Sequence, residues 1–193
     1  MELEQFNGIL FDLDGTLVDT MPLHLASWEL AASEFQFDYD ADWLYALGGV
    51  PSRKIVTIIN QHQGLALDPM AVVKLKNHHY QRWLPEARVF PAMLELLERY
   101  ADRPMAIGTG SSRVNAQRVL QSTGLNKYFS VVISADDVVR HKPEPDTYLL
   151  AAERLGVAPG RCLVFEDTPI GQQAAMAAGM KCVMVVQGRP DLG

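Results

Sequence analysis

The chain has 193 residues, 48% of them hydrophobic and 21% charged. These proportions suit a globular core with a small appended unit and exclude a disordered, collagenous or coiled-coil chain. The net charge of −6 offers no general basic field to a nucleic-acid backbone or an anionic membrane, so an anionic ligand would need local cations.

Cys162 and Cys182 sit in separate apolar runs with no CxxC pair and read as buried free thiols rather than a disulfide or a metal site. The start of the chain, Met1-Glu2-Leu3-Glu4, is acidic where a signal peptide is basic. No apolar stretch reaches the ~20 residues of a membrane span. A soluble, cytoplasmic protein is expected.

Residues 8–13 form an apolar run too short for a helix and read as a buried strand. Residues 18–87 then carry no convincing strand, but helical spacing recurs over 22–35, 41–47, 53–62 and 71–84. Trp28, Trp43 and Trp83 fall in this stretch and are expected in its core. Pro85 and Pro91 bracket the return to alternation. Helical patterns over 92–100, 114–123, 147–155 and 170–178 interleave with apolar runs over 105–109, 131–134, 162–166 and 182–186. Three of these helices stop at Gly124, Gly156 and Gly179. Strand and helix in alternation imply an α/β fold, a parallel sheet with helices on both faces. The sheet unit spans 1–17 and 88–193. A helical unit of about 70 residues, too long for a loop, interrupts it over 18–87.

Chemistry-bearing residues collect at the ends of the strand patterns. The first run ends in Asp12-Leu13-Asp14-Gly15-Thr16-Leu17 and the fourth in Glu166-Asp167-Thr168-Pro169. The C-terminal edge of an open α/β sheet is where such folds bind ligands. Each pair alone reads equally well as a turn or a helix cap. Together at one edge the four acids would repel by about 4 kcal/mol per close pair at an effective dielectric of 20. Oxygen ligands without His or Cys suit Mg²⁺ as the neutralising ion. Thr109-Gly110-Ser111-Ser112 offers hydroxyls and N–H groups at a helix start, an anion seat. Lys142, within His141-Lys142-Pro143-Glu144-Pro145, is a phosphate counter-charge on a restricted loop. The set suits phosphoryl transfer with an aspartate as nucleophile.

These motifs resemble those of the haloacid dehalogenase superfamily, and within it the β-phosphoglucomutase-like branch, with greatest similarity to bacterial phosphatases of fructose 1-phosphate and 6-phosphogluconate. The resemblance implies a Rossmann-like catalytic core with an all-α cap. It implies Asp12 as nucleophile and Asp14 as general acid/base. Mg²⁺ would be held by Asp12, the backbone carbonyl of Asp14 and Asp167, with Glu166 assisting through water. Thr109 and Lys142 would bind the phosphoryl oxygens, and Gly110 would offer its N–H. His24 matches a cap histidine that contacts the sugar. Arg53 lies near the position of a cap arginine that grips a distal phosphate, one residue out of register. A lysine of the mutase is replaced by Ser112, with Arg113 beside it, which favours a phosphatase. His62, His78 and His79 are expected as solvated cap positions.

The expected activity is Mg²⁺-dependent hydrolysis of a small phosphorylated metabolite through an aspartyl-phosphate, with no nucleic-acid or membrane partner. Two alternatives use the same acids, a β-phosphoglucomutase-type transferase and a phospho-aspartate switch. The long helical insert and an acceptor on the first strand argue against the switch. The sequence leaves the particular sugar and the oligomeric state open.

Overall fold

The computed structural model describes residues 5–192, so the acidic stretch 1–4 lies outside the described residues. Six strands form one sheet: β1 (Gly8–Phe11), β2 (Met105–Gly108), β3 (Val131–Ile133), β4 (Cys162–Glu166), β5 (Lys181–Val186) and β6 (Arg189–Pro190). They lie in the order β3-β2-β1-β4-β5-β6. The first five are parallel, and β6 turns back antiparallel on β5. β1 is central, with Phe11 level with Ile107 on one side and Phe165 on the other.

All four residues of β1 are buried, as a strand covered on both faces requires. Alternation splits them between two cores. Ile9 and Phe11 join a cluster with Met93, Leu97, Val119 and Leu120 from helices α5 (Pro91–Arg99) and α6 (Arg113–Thr123). Leu10 joins Tyr148, Ala151, Ala174 and Ala175 from α7 (Asp146–Leu155) and α8 (Pro169–Ala177). Cys162 is fully buried, whereas Cys182 is half-buried because it lies on the flank of the second cluster rather than inside it; both are free thiols.

Between β1 and β2 lie α1 (Met21–Phe35), α2 (Ala41–Ala46), α3 (Ser52–Gln63) and α4 (Pro69–Trp83). Trp28, Leu44, Val56, Ile59 and Val72 form their own apolar centre, with Trp43 packed against it. This is an all-α cap on the α/β core. Trp83 stays outside that centre, half-buried and beside His79 with ring centroids 6.1 Å apart. The end of α4 leans on the sheet unit, since Tyr80 and Leu84 belong to the cluster around Phe11. No helix among the described residues is long and apolar enough to cross a membrane.

The two chain segments that join cap and core are bonded to each other. Val18 bridges antiparallel to Val89. Asp19 N–H donates to Arg88 O at 2.8 Å and Phe90 N–H to Leu17 O at 3.0 Å.

Phe11 stacks on Phe165 at 5.2 Å and meets Phe129 edge-on at 5.9 Å, with no surface exposed. Phe11→Ala is expected to lower unfolding free energy by about 3–5 kcal/mol, measured by urea titration.

Candidate active site

Asp12 follows β1 directly, and its N–H still donates to Phe165 O at 3.0 Å. The sheet hydrogen bonding thus delivers its carboxylate to the edge where β4 delivers Glu166 and Asp167. The chain then turns at Gly15 with φ +87°, where a side chain would stand 2.4 Å from Asp167 Oδ2. Only glycine serves both the turn and the close approach.

Lys142, from the loop before α7, reaches between two of these acids. Its Nζ donates to Asp12 Oδ1 at 2.6 Å and to Glu166 Oε1 at 2.5 Å. Tyr148 OH also donates to Glu166 Oε1 at 2.8 Å. The N–H and hydroxyl of Thr168 donate to Oε2 at 3.2 and 3.1 Å. Asp167 Oδ1 accepts from Thr16 at 2.8 Å, while its Oδ2 is buried with no hydrogen-bond partner.

One ligand atom from each of Asp12, Glu166 and Asp167 can lie within 4.8 Å of the other two. Burial, then the surrounding acids, push Asp12 well above the usual carboxylate range despite Lys142. The same causes raise Asp167 to about 7. Three carboxylates stand against one ammonium, and one of their buried oxygens, Asp167 Oδ2, has no hydrogen bond. An all-oxygen donor set of this kind fits a hard divalent cation.

Asp14 is surrounded by donors. Ser111 Oγ and Thr20 Oγ1 donate to it at 2.6 and 2.7 Å, and His24 Nε2 lies 3.2 Å away. Tyr80 OH is at 3.4 Å. Burial favours the neutral acid, but His24, Ser111 and Thr20 outweigh it and hold Asp14 below the usual range. On the far side of the imidazole, Lys76 Nζ is 2.6 Å from His24 Nδ1. An ammonium can only donate, so Nδ1 is the acceptor and Nε2 carries the proton given to Asp14. Burial and Lys76 lower the His24 pKa, which keeps the ring neutral. Lys76 itself is buried, with Nζ 4.9 Å from the Tyr80 ring centroid and 5.7 Å from that of Trp28.

Beside these acids a cavity of about 790 Å³ opens between cap and core, within the range of small-molecule sites. Thr109, Gly110, His24 and Arg53 all line it. The cap loop closes onto the core at Gly110, where a Cβ would fall 2.0 Å from Gly49 O.

Residues 9–185 match the family described as haloacid dehalogenase-like hydrolase. The chain belongs to the haloacid dehalogenase-like hydrolases. It is 40% identical to the fructose-1-phosphate phosphatase YqaB of Escherichia coli K12, over 94% of this chain and 97% of that one. It is 29% identical to the β-phosphoglucomutase of Bacillus subtilis, covering 96% and 86% of the two chains. The crystal structure of CbbY from Rhodobacter sphaeroides in complex with phosphate superposes with a TM-score of 0.82. That comparison covers 93% of this chain and 86% of CbbY, at 26% identity.

Of the residues expected in the site of this hydrolase, Asp12, Glu166, Asp167 and Lys142 meet in one buried group, and Asp14 and His24 in a second beside it. Arg53 stands exposed at the start of α3, on the cavity wall. Arg113 pairs instead with Asp137, and its N–H donates to Asp136 Oδ2 at 2.8 Å. His62 and His78 are exposed, although His62 stacks on Trp43 at 5.0 Å; His79 is half-buried. Sequence reasoning missed Lys76, Ser111 as a donor to Asp14, and Tyr148. A signal for Lys76 exists in the stripe Val72, Lys76, Tyr80, where a lysine occupies the buried face of α4.

The pKa of Lys76 is about 8 in the folded protein, below the ordinary 10.5, because of burial. Between those values the unfolded chain keeps a proton that the folded chain has released, so this residue's contribution to stability grows with pH. The unfolding free energy of the wild type relative to Lys76→Met is therefore expected to rise from pH 8 to 10.5, as read from urea titrations across that window.

Proposed function

We propose that this chain is a Mg²⁺-dependent phosphatase of small phosphosugars that works through an aspartyl-phosphate. The observation that carries the reading is the largely buried acid group of Asp12, Glu166 and Asp167, joined to a single lysine beside the cavity between cap and core. The phosphosugar class is supported by similarity to a fructose-1-phosphate phosphatase along nearly the whole length of both chains.

In this reading Asp12 and Asp167, with the backbone carbonyl of Asp14, would hold the Mg²⁺, with Glu166 assisting through water. A bound Mg²⁺ supplies charge neutralisation to the carboxylates and the phosphoryl oxygens. Lys142 fixes the Asp12 carboxylate from one side. Thr109 and the Gly110 N–H face the phosphoryl group across the cavity floor.

The first step forms a bond between an Asp12 carboxylate oxygen and phosphorus as the bond to the sugar oxygen breaks. Asp14 hands that oxygen its proton. Asp14 is held ionised by its donors before substrate enters. A phosphoryl group arriving beside it adds negative charge and raises its proton affinity, so Asp14 takes up a proton from solvent before the first step and returns one to solvent after the second. In the second step a water attacks phosphorus and gives its proton to Asp14. The bond to Asp12 breaks and inorganic phosphate leaves. His24 and Lys76 keep Asp14 aimed at the oxygen that gains or loses the proton. Closure of the Gly49 loop on Gly110 limits which acceptor reaches the phospho-aspartate.

The deciding experiment measures phosphate release from a phosphosugar panel with Mg²⁺ and again with excess chelator. Release that the chelator abolishes is expected. Release untouched by chelator would remove the metal from the mechanism. Conversion of β-glucose 1-phosphate to glucose 6-phosphate with little free phosphate would transfer the assignment to a mutase.

Asp12→Asn should cut turnover by more than about 10³-fold, because it removes the nucleophile and keeps its shape. It should not lower Tm, since burial and three other acids already disfavour the ionised Asp12. Steady-state rates and thermal melts check the two halves of this expectation.

A further inference from the structure

One polar group in the cavity has no part in the chemistry described above. Asn115 lies on the first turns of α6, buried, with its N–H bonded to the cap hydroxyl of Ser112 at 3.4 Å. Its side-chain amide reaches across to the cap. Asn115 Nδ2 donates to Asn77 Oδ1 at 3.2 Å, and Gln81 Nε2 donates to Asn115 Oδ1 at 3.3 Å. Asn77 and Gln81 are one turn apart on α4, and all three amides line the cavity.

Their place along α4 is informative. Lys76 and Tyr80, the neighbours of Asn77 and Gln81 in sequence, are the residues that approach His24 and Asp14. The leaving oxygen of the substrate must meet Asp14. The carbons attached to that oxygen then extend past His24 into the space walled by the three amides.

These groups carry no charge and offer both donors and acceptors. Asn115 uses both ends of its amide in the bridge, whereas Asn77 Nδ2 and Gln81 Oε1 make no hydrogen bond among the described residues. Asn77 and Gln81 are both half-buried residues of the cavity wall, so these two groups are left to bind a ligand. The two bridging bonds are longer than the ~2.9 Å typical of amide pairs, so a hydroxyl that offers better geometry can replace either one.

We infer that Asn77, Gln81 and Asn115 are the specificity-determining residues that read the hydroxyl groups of the substrate's leaving alcohol. The inference rests on the phosphatase reading above and deepens it. A polyhydroxy phosphate satisfies the amides from both walls at once, so it is favoured over an ester with a bare or aromatic leaving group. An ester without hydroxyls leaves the amides bonded only to one another and gains nothing from them.

The test compares fructose 1-phosphate with p-nitrophenyl phosphate, whose leaving group has no free hydroxyl other than the one released. In Asn115→Ala and in Gln81→Met, the ratio of kcat/KM for the sugar phosphate to that for the aryl phosphate should fall about tenfold, mainly through KM for the sugar. Gln81 is half-buried on a helix surface, so Gln81→Met decides the matter if Asn115→Ala fails to fold. An unchanged ratio, whether both rates fall or neither does, overturns the inference, since it marks the bridge as a structural tie between cap and core. A wild type that cleaves p-nitrophenyl phosphate but no polyhydroxy phosphate overturns the inference and the substrate class together. A wild type that cleaves the sugar phosphate, with variants whose ratio is unchanged, overturns only the inference.

Discussion

Four ionisable groups are packed together at the edge of the parallel sheet, Asp12, Glu166 and Lys142 with almost no access to water and Asp167 half-buried beside them. Carboxylates at that density are unfavourable unless their remaining oxygens are bonded and their charge is balanced. Much of the surrounding structure answers that need. Tyr148 is brought in by α7 to donate to Glu166, and Thr168 meets the same carboxylate with its N–H and hydroxyl while capping α8. The first turn of α8 approaches so closely that a side chain at Gly171 would lie 1.8 Å from Glu166 Oε1. Among the described residues, Asp167 Oδ2 is the carboxylate oxygen of this group left buried without a hydrogen bond.

A different solution operates at Asp14, only two residues away. There the balance comes from neutral donors on both units of the molecule, Ser111 from the core and Thr20 and His24 from the approach to the cap. The cap adds Lys76 behind His24, so the protonation pattern of the imidazole is set by a residue that never touches the carboxylate it serves. Two aspartates on one short stretch of chain therefore have opposite proton affinities. Asp12 is raised by burial and then by its acidic neighbours, and Asp14 is lowered by its donors despite burial.

The α/β class was legible because each strand is a short apolar run and each following helix has its own period and stop. β6 was not, because Arg189–Pro190 has neither pattern and is only two residues long, paired with Val186 and Val185 at the end of β5. The acidic motifs were visible as strand-end carboxylates. Their adjacency depends on β1 and β4 being neighbours in the sheet, a fact of topology rather than of motif. Lys76 was overlooked because a lysine in a helix is ordinarily solvated, and its burial follows from the register of Val72 and Tyr80. The same holds for Trp83, which shares a helix with buried residues but faces away from their centre. Arg113 looked available beside the phosphate seat, yet Asp137, held by Ser134 at 2.8 and 2.6 Å, captures it.

The ladder between residues 17–19 and 88–90 has a mechanical consequence. Two independent strings would let the cap tumble over the sheet edge, whereas two cross-bonded segments bend about one axis and resist shear. Thr20 leaves that axis directly and bonds Asp14, so a swing of the cap moves a donor at the proton-transferring carboxylate by a short lever arm. The position of the cap is thus transmitted to the basicity of Asp14 without any contact between substrate and hinge.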